Sequence, residues 1–281
     1  MIKVNEGDIT RAVARLCVEA NIHLRPDVLN ALKKALALEK NIRAKKILSE
    51  LLENAAIADK ERVALCQDTG MPVVFIEIGR DVDLSGLDVV GAVNKGVREG
   101  YKKGSLRDSV VSDPLLRLKK SGYTPAVIHF DFTRGKGLKI TVLPKGFGCE
   151  NKTVLKMFNP TDSVECIKDF VVSVVRQAGP DACPPYVVGV GIGGTADCAC
   201  QLSKKALLRP IHKQNPLSHA ACLENDILKE VNALNIGPMG LGGRTTALAV
   251  NVETYPTHIA GLPVCVNISC HVLRSASVIL K

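Results

Sequence analysis

A chain of 281 residues, 46% hydrophobic and 23% charged, is long enough to bury a sizeable core and reads as soluble and globular. Aromatics make up 4% and Trp is absent, so the core falls to Val, Leu, Ile and Ala. The formal charge of +9 comes from scattered lysines and arginines, with short clusters at Lys33-Lys34, Arg43 with Lys45-Lys46, and Lys102-Lys103; no long basic run interleaves with aromatics, which argues against nucleic acid and leaves a solvated basic surface or an attraction for small anions.

The first residues, Met1 to Asp8, lack the charged start, apolar centre and cleavage site of a signal peptide, and no apolar run approaches the roughly 20 residues that span a bilayer. The expectation is a cytoplasmic protein without a membrane partner, whose ten cysteines stay reduced. Cysteines beside polar motifs then point to metal or redox chemistry more than to disulfides.

Residues 8–58 are predicted as three helices. Ile9, Val13, Leu16, Cys17 and Ala20 recur at helical spacing, Pro26-Asp27 opens a second segment through Leu38, and Ile42 to Leu52 gives a third. Cys17 falls on the apolar stripe and reads as core. Leu65-Cys66-Gln67-Asp68-Thr69-Gly70-Met71-Pro72 follows, crowding a thiol, an amide, a carboxylate and a hydroxyl into one turn before a buried strand, Pro72 to Ile78. Such crowding suits chemistry better than packing.

After a loop at 81–85, Val89, Val90, Val93, Val97 and Tyr101 predict an amphipathic helix stopped near Lys103-Gly104. Ser105 to Pro114 is polar and irregular; within it Arg107 is the long cation, and capping a helix or pairing with Asp108 would account for it as well as a site would. Ala126 to Thr133 and Leu138 to Leu143, joined by Arg134-Gly135-Lys136-Gly137, carry the signal of a β-hairpin. Pro144 to Thr153 is glycine-rich, equally suited to close approach by a ligand and to a surface turn.

Asp162 and Glu165 have capping-box spacing ahead of a helix whose core face is Val164, Ile167, Val171, Val174 and Val175. A break at 180–185 holds Cys183. A strand at 186–190, a turn at 191–194 and a helix at 195–208 then contain a G-x-G-x-x-G match at Gly189, Gly191 and Gly194. A dinucleotide site needs an acidic residue about 20 positions on, and Lys213-Gln214-Asn215-Pro216 stands there instead. What survives is a helix N-terminus able to receive a carboxylate or phosphate. A helix at 220–234, a second glycine-rich loop at 240–246, a strand at 247–252, His258, and a strand at 262–268 delivering Cys270 complete the chain.

No C-x-x-C pair exists, which excludes the simplest zinc frames. Cys198 and Cys200 sit two apart in a predicted helix and point away from each other. Cys166, Cys222 and Cys265 read as small buried hydrophobes. Cys66, Cys183 and Cys270 differ: each stands at a break flanked by Gln, Pro or Ser, and the hypothesis is that they converge on one metal centre. Three thiolates on a four-iron cluster would leave one iron open to act as a Lewis acid.

Five motifs in order, Cys66-Gln67-Asp68-Thr69-Gly70, Gly146-Phe147-Gly148-Cys149-Glu150-Asn151, Ala182-Cys183-Pro184-Pro185, Gly191-Ile192-Gly193-Gly194-Thr195 and Gly237-Pro238-Met239-Gly240, resemble the alpha subunit of iron–sulfur-dependent class I fumarate hydratases, from about residue 10 to the C-terminus. The related L(+)-tartrate dehydratase alpha subunits share much of the pattern. The resemblance implies a [4Fe-4S] cluster on Cys66, Cys183 and Cys270, with Gln67, Arg107 and Gly148 binding substrate, and Asp68, together with His258, as catalytic proton donor to the departing hydroxyl. It implies interconversion of L-malate with fumarate and water, a reaction of the tricarboxylic acid cycle. It further implies a beta subunit that supplies a threonine base and more Arg and Lys contacts, in an α2β2 assembly.

Phe147 and Cys149 depart from the usual fumarase loop, and Cys149 is shared with tartrate dehydratases, which keeps L(+)-tartrate as an alternative substrate. Against that, Glu150-Asn151-Lys152-Thr153 and Gly242-Gly243-Arg244-Thr245-Thr246 look fumarase-like. A structural iron–sulfur or zinc protein without turnover is the reading from a different class; Asp68 beside Cys66 argues against it. The expected fold class is α+β, N-terminal helices followed by mixed sheets with packed helices, an order compatible with two lobes around a cluster site. Residues 1–281 form a single hydro-lyase alpha-type region, since no linker forces an internal boundary.

Overall fold

The computed structural model describes residues 2–117 and 120–281. In chain order its elements are β1 (Ile2–Lys3), α1 (Glu6–Ile22), α2 (Pro26–Leu38), α3 (Ile42–Glu61), β2 (Met71–Gly79), β3 (Val82–Asp83), α4 (Val89–Lys103), β4 (Val110–Val111), β5 (Lys120–Gly122), β6 (Val127–Thr133), β7 (Leu138–Lys145) and α5 (Phe147–Glu150). There follow β8 (Val154–Phe158), α6 (Val164–Ala178), β9 (Tyr186–Gly193), α7 (Ala196–Leu208), α8 (Ser218–Ala233), a 3-10 turn (Pro238–Gly240), β10 (Ala247–Tyr255), β11 (Leu262–Ser269) and β12 (Ala276–Leu280). The fold is α+β, as the order of patterns predicts. Among the described residues, no helix is long and apolar enough to cross a membrane.

The chain divides into two compact units. The first comprises the chain through Arg25, Ala55–Phe147 and Arg274–Lys281, the second Pro26–Asn54 and Gly148–Leu273.

In the first unit, α1 starts at a reciprocal capping box between Asn5 and Asp8. Its stripe Ile9, Val13, Leu16 and Cys17 is fully buried. α1 lies close against α4, where a Cβ on Gly96 or Gly100 would fall 2.6 Å from the Thr10 carbonyl or 2.5 Å from that of Ala14. The α4 stop also differs in detail from the expected glycine cap: Gly104 has φ −81, and Ser105, at φ 51, is the left-handed residue.

The four-stranded sheet of this unit runs β12-β7-β2-β6. The hairpin expected from β6 and β7 is therefore not formed. β2 lies between them, parallel to β6 and antiparallel to β7. The reason is burial: Val73, Val74, Phe75 and Ile76 are buried on both faces, which suits a central strand, whereas Phe130 and Phe132 on β6 stay exposed at the edge. The connecting turn bonds to the end of β2 instead, through Gly79 N–H to the Gly137 carbonyl and Arg80 N–H to that of Gly135. β12, antiparallel to β7, has no counterpart in the sequence reading.

The sheet of the second unit runs β10-β9-β11-β8, with β10 parallel to β9 and β11 antiparallel to both β9 and β8. Val188, Val190, Val250, Val252, Val264 and Val266 pack with residues of α6 and α8 on one face. α7 covers the other. There the first two glycines of the G-x-G-x-x-G match sit inside β9, and a Cβ would fall 2.2 Å from the Ser203 carbonyl at Gly189 and 2.1 Å from the Ala199 carbonyl at Gly191. These glycines admit a helix to a strand, not a phosphate to a loop.

Three further expectations change on α6 and α8. Ser163, not Asp162, is the N-cap of α6, its hydroxyl accepting from Cys166 N–H. Val164 is 63% exposed, ahead of the core face that begins at Ile167. Cys166 and Cys222 are exposed rather than buried, on the solvent-facing sides of α6 and α8; Cys265 is buried as expected.

Candidate functional site

In the first unit the site is the turn from Cys66 to Gly70. Leu65 N–H donates 2.9 Å to the Asn21 carbonyl and anchors its start. Its end is fixed by Tyr101, whose hydroxyl donates to the carbonyls of Thr69 (3.0 Å) and Gly70 (2.9 Å). Burial first, and then the neighbouring Cys17, push the Tyr101 hydroxyl far above its ordinary pKa, so it stays a protonated donor. Gly70 has φ 75, and a Cβ there would fall 2.8 Å from Pro144 C and Lys145 N. Only glycine closes this turn without displacing β7.

The Asp68 carboxylate is held by both oxygens. Oδ1 accepts from Gly70 N–H at 3.0 Å and Oδ2 from Phe147 N–H at 2.8 Å. Its own carbonyl accepts from Arg274 Nη2. Cys66 and Asp68 are half-buried, while Gln67 is exposed. Arg107 joins this group through its backbone, its N–H donating 2.9 Å to Thr69 Oγ1, with an exposed side chain.

The second unit carries Gly148, Cys183, His258 and Cys270. Gly148 opens into space, the nearest atom to a Cβ being the Asp181 carbonyl at 3.9 Å. The next residues are tied down. Cys149 Sγ donates 3.3 Å to the Ala182 carbonyl, Lys152 Nζ pairs with Asp181 at 2.9 Å, and Glu150 accepts from Lys204 Nζ and, at 3.0 Å, from Asn267 Nδ2. Asn267 stands three residues before Cys270, so the Gly148 loop and the end of β11 are braced together.

Cys183 is a non-glycine residue at φ 57, a conformation that persists only where its surroundings impose it. Cys183 N–H donates to the Pro180 carbonyl at 3.1 Å, Met239 N–H donates 2.8 Å to the Pro184 carbonyl, and His271 Nδ1 lies 3.1 Å from the Cys183 carbonyl. The Cys183 and Cys270 turns are thus brought together in this unit, both thiols half-buried. His258 lies exposed on the loop between β10 and β11, and its Nδ1 accepts from Ala260 N–H at 3.1 Å. A neutral ring therefore carries its proton on Nε2.

Among the described residues, no three His, Cys, Asp or Glu side chains lie close enough to hold a single metal ion. A four-iron cluster spreads its thiolates one per iron and asks for a wider set. Cys66 in the first unit, and Cys183 and Cys270 in the second, are each half-buried soft donors, the chemistry such a group takes up. At the helix N-terminus read as an anion site, Asp197 in the first turn of α7 accepts from Thr195 Oγ1 at 2.5 Å. Arg274 and His271 carry no site role in the sequence reading, where Glu150 enters only as part of a motif and Tyr101 only on a helix's apolar stripe. The one available signal was Arg274 itself, a cation directly after Val272-Leu273.

The family model described as Fumarate hydratase (Fumerase) matches residues 10–279. The chain is 42% identical over 274 residues to the "Putative L(+)-tartrate dehydratase subunit alpha" of Methanocaldococcus jannaschii, covering 95% of this chain and 96% of that one. An "L(+)-tartrate dehydratase subunit alpha" from Escherichia coli is 29% identical over 275 residues, covering 97% and 90%, and another from that species is 30% identical over 265 residues, covering 93% and 87%.

Proposed function

The chain belongs to the fumarate hydratase family of hydro-lyases, and on that footing we propose that it is the alpha subunit of an iron–sulfur enzyme interconverting L-malate with fumarate and water. The observation that carries the reading is the clamp on Asp68: a carboxylate fixed through both oxygens by Gly70 and Phe147, two residues after a half-buried thiol. Membership in a hydro-lyase family sets aside a structural metal protein without turnover. The reading includes a beta subunit completing an α2β2 assembly, a cytoplasmic setting, and a small dicarboxylate in place of nucleic acid or membrane.

Cys66, Cys183 and Cys270 are the residues that would hold a [4Fe-4S] cluster. When bound, that cluster supplies a Lewis-acidic iron not taken up by a protein thiolate. In dehydration of malate the C2–O bond breaks, the C3–H bond gives up its proton, the C2=C3 double bond forms, and the hydroxyl leaves with one proton as water. Asp68, in its carboxylic acid form, is the donor of that proton, and His258 joins it through a hydrogen bond from Nε2–H to the departing hydroxyl. Each Asp68 oxygen accepts one backbone N–H and has a second lone-pair site left, one of which carries the acid's proton. Gln67 and Arg107 bind the carboxylates, for which a guanidinium is the bidentate partner, and Gly148 lets the substrate approach the backbone. The base that takes the C3 proton comes from the beta subunit.

L(+)-tartrate is the second reading, supported by the names of the relatives and by Cys149 beside the Cys183 turn. Tartrate carries a hydroxyl on the carbon where malate has only hydrogen. A site built to bond it rejects the analogue without it by large factors.

The test is anaerobic purification of the tagged chain together with its co-purifying subunit, assay of iron and sulfide, and turnover of L-malate, fumarate and L(+)-tartrate. Malate turnover with about four irons per chain, abolished by Cys66→Ala, Cys183→Ala or Cys270→Ala, is the expected result. Turnover of tartrate alone overturns the malate assignment, and stoichiometric zinc without sulfide overturns the cluster.

A further inference from the structure

Arg274 is 4% exposed and stands just after the segment that bears Cys270. Its Nη2 donates to the carbonyl of Asp68, and its Nε makes a longer contact, 3.5 Å, to the carbonyl of Pro144. Its Nη1 is buried without a hydrogen-bond partner among the described residues. Asp68 and Pro144 belong to the two segments that supply the N–H groups gripping the Asp68 carboxylate, Gly70 on one and Phe147 on the other. A Cβ on Gly146 would lie 3.1 Å from Asp68 Oδ2 and 3.9 Å from Arg274 Nη2, so carboxylate and guanidinium share the space beside that glycine.

A buried guanidinium with an unsatisfied nitrogen is a poor choice for stability. An apolar residue of similar volume is often neutral or better, because desolvating a charge offsets what its bonds return. Two neutral carbonyls do not require a cation. What the guanidinium provides is a planar fork that spans two segments at once, which neither a lysine nor an apolar side chain reproduces.

We propose that Arg274 is a positioning residue for the hydro-lyase reaction: by stapling the Asp68 turn to the end of β7, it keeps the Gly70 and Phe147 N–H groups at the spacing that aims the Asp68 carboxylate. The inference rests on the role given to Asp68 above. Without the staple both carbonyls lose their buried donor, the two segments part, and Asp68 keeps one grip at a time. The orientation of the acid degrades while substrate binding, carried by other residues, persists.

The test compares wild type with Arg274→Ala, Arg274→Met and Arg274→Lys in two measurements. In the first, hydrogen exchange is followed on the chain without its cluster. The Gly70 and Phe147 amides are expected to exchange about 10-fold faster in the Ala and Met variants, with β9 amides unchanged and Lys intermediate. Unchanged Gly70 and Phe147 exchange overturns the staple, whatever the enzyme's substrate. In the second, turnover is measured on the loaded enzyme with its partner and expressed per cluster. kcat is expected to fall about 100-fold in the Ala variant, the scale of a 1 Å misplacement, with KM nearly unchanged and part of the loss restored by added guanidinium ion. Wild-type kcat per cluster in the Ala variant reduces Arg274 to a structural residue. Faster exchange in variants of a protein whose wild type turns over none of the three acids leaves the staple standing and sinks the functional reading instead.

Discussion

His271 Nδ1 lies 3.1 Å from the carbonyl oxygen of Cys183. A carbonyl only accepts, so Nδ1 carries the proton, and a residue adjacent to one proposed cluster ligand holds the backbone of another. Replacing His271 with Ala removes the tie and leaves a strained turn at Cys183 less determined. Outer-shell partners of ligands typically contribute about 10- to 100-fold in metal affinity, and His271→Ala is expected to lose iron and sulfide on dilution or chelator challenge by that order. His271→Asn, whose amide nitrogen takes the place of Nδ1, is expected to retain most of it. Equal iron retention in all three proteins would show that the tie is idle.

The glycines in β9 make a sharper prediction about the fold. A methyl group at Gly191 would sit 2.1 Å from the Ala199 carbonyl, and at Gly189 2.2 Å from that of Ser203, in each case closest to helix backbone, which cannot swing aside as a side chain can. Gly191→Ala and Gly189→Ala are each expected to cost about 3 kcal/mol or more, the upper range of overpacking, and to lower the melting temperature of the second unit. Gly261→Ala, with nothing within 4 Å of the added carbon, is expected to melt with wild type. A Gly191→Ala variant as stable as wild type would show that α7 can move off β9.

The same contrast explains what the sequence disclosed. Helical stripes are local, so α1 to α4 and the core role of Cys17 were readable, as was the turn at Cys66, whose residues are contiguous. Strand order is not local: the signal for a β6–β7 hairpin was real as turn chemistry, yet β2 offered more apolar surface to bury and took the place between them. Arg274 and Asp68 are 206 residues apart in sequence, and nothing in either neighbourhood announces the other. The glycine match was visible, but its meaning depended on α7 lying across the strand. Cys166 and Cys222 adjoin Ile167 and Leu223 in sequence, but one residue along a helix is a turn of about 100°, which carries both thiols to the solvent side.

Those cysteines are open to direct measurement. Burial pushes the thiols of Cys17 and Cys265 up to about 12, so at pH 8 they hold almost no thiolate and are also shielded from reagent. Cys166 and Cys222 are exposed. In the native chain at pH 8 a thiol reagent followed by peptide mapping is expected to modify Cys166 and Cys222 first, and to leave Cys17 and Cys265 unmodified until denaturant is added. Early labelling of Cys17 would mean that α1 opens from its sheet far more readily than its burial implies.

Glu39, which follows α2, governs a pH dependence of the second unit. It is 3% exposed. Burial pushes its carboxyl upward, but the N–H groups of Asn41, Arg244 and Lys40, with the charge of Arg244, outweigh that and hold it below its ordinary value. Its Oε2 accepts from Arg244 N–H at 2.8 Å, and a Cβ on Gly243 would fall 2.9 Å from that oxygen, so the ionised carboxylate fixes the glycine-rich loop that leads into β10. A carboxyl whose folded pKa is depressed contributes stability that is fully present above its unfolded value and is lost as pH falls through the folded one. Glu39→Gln keeps the shape and removes the charge. At pH 7 it is expected to be less stable than wild type by about 1 to 3 kcal/mol, the worth of hydrogen bonds to a charged group. That difference should shrink as pH falls from the ordinary carboxylate range through the depressed folded value, where the wild-type carboxyl takes up its proton. Urea unfolding of both proteins between pH 7 and pH 3 makes the comparison. A gap that stays constant over the range would show that the carboxylate charge is not what holds the loop.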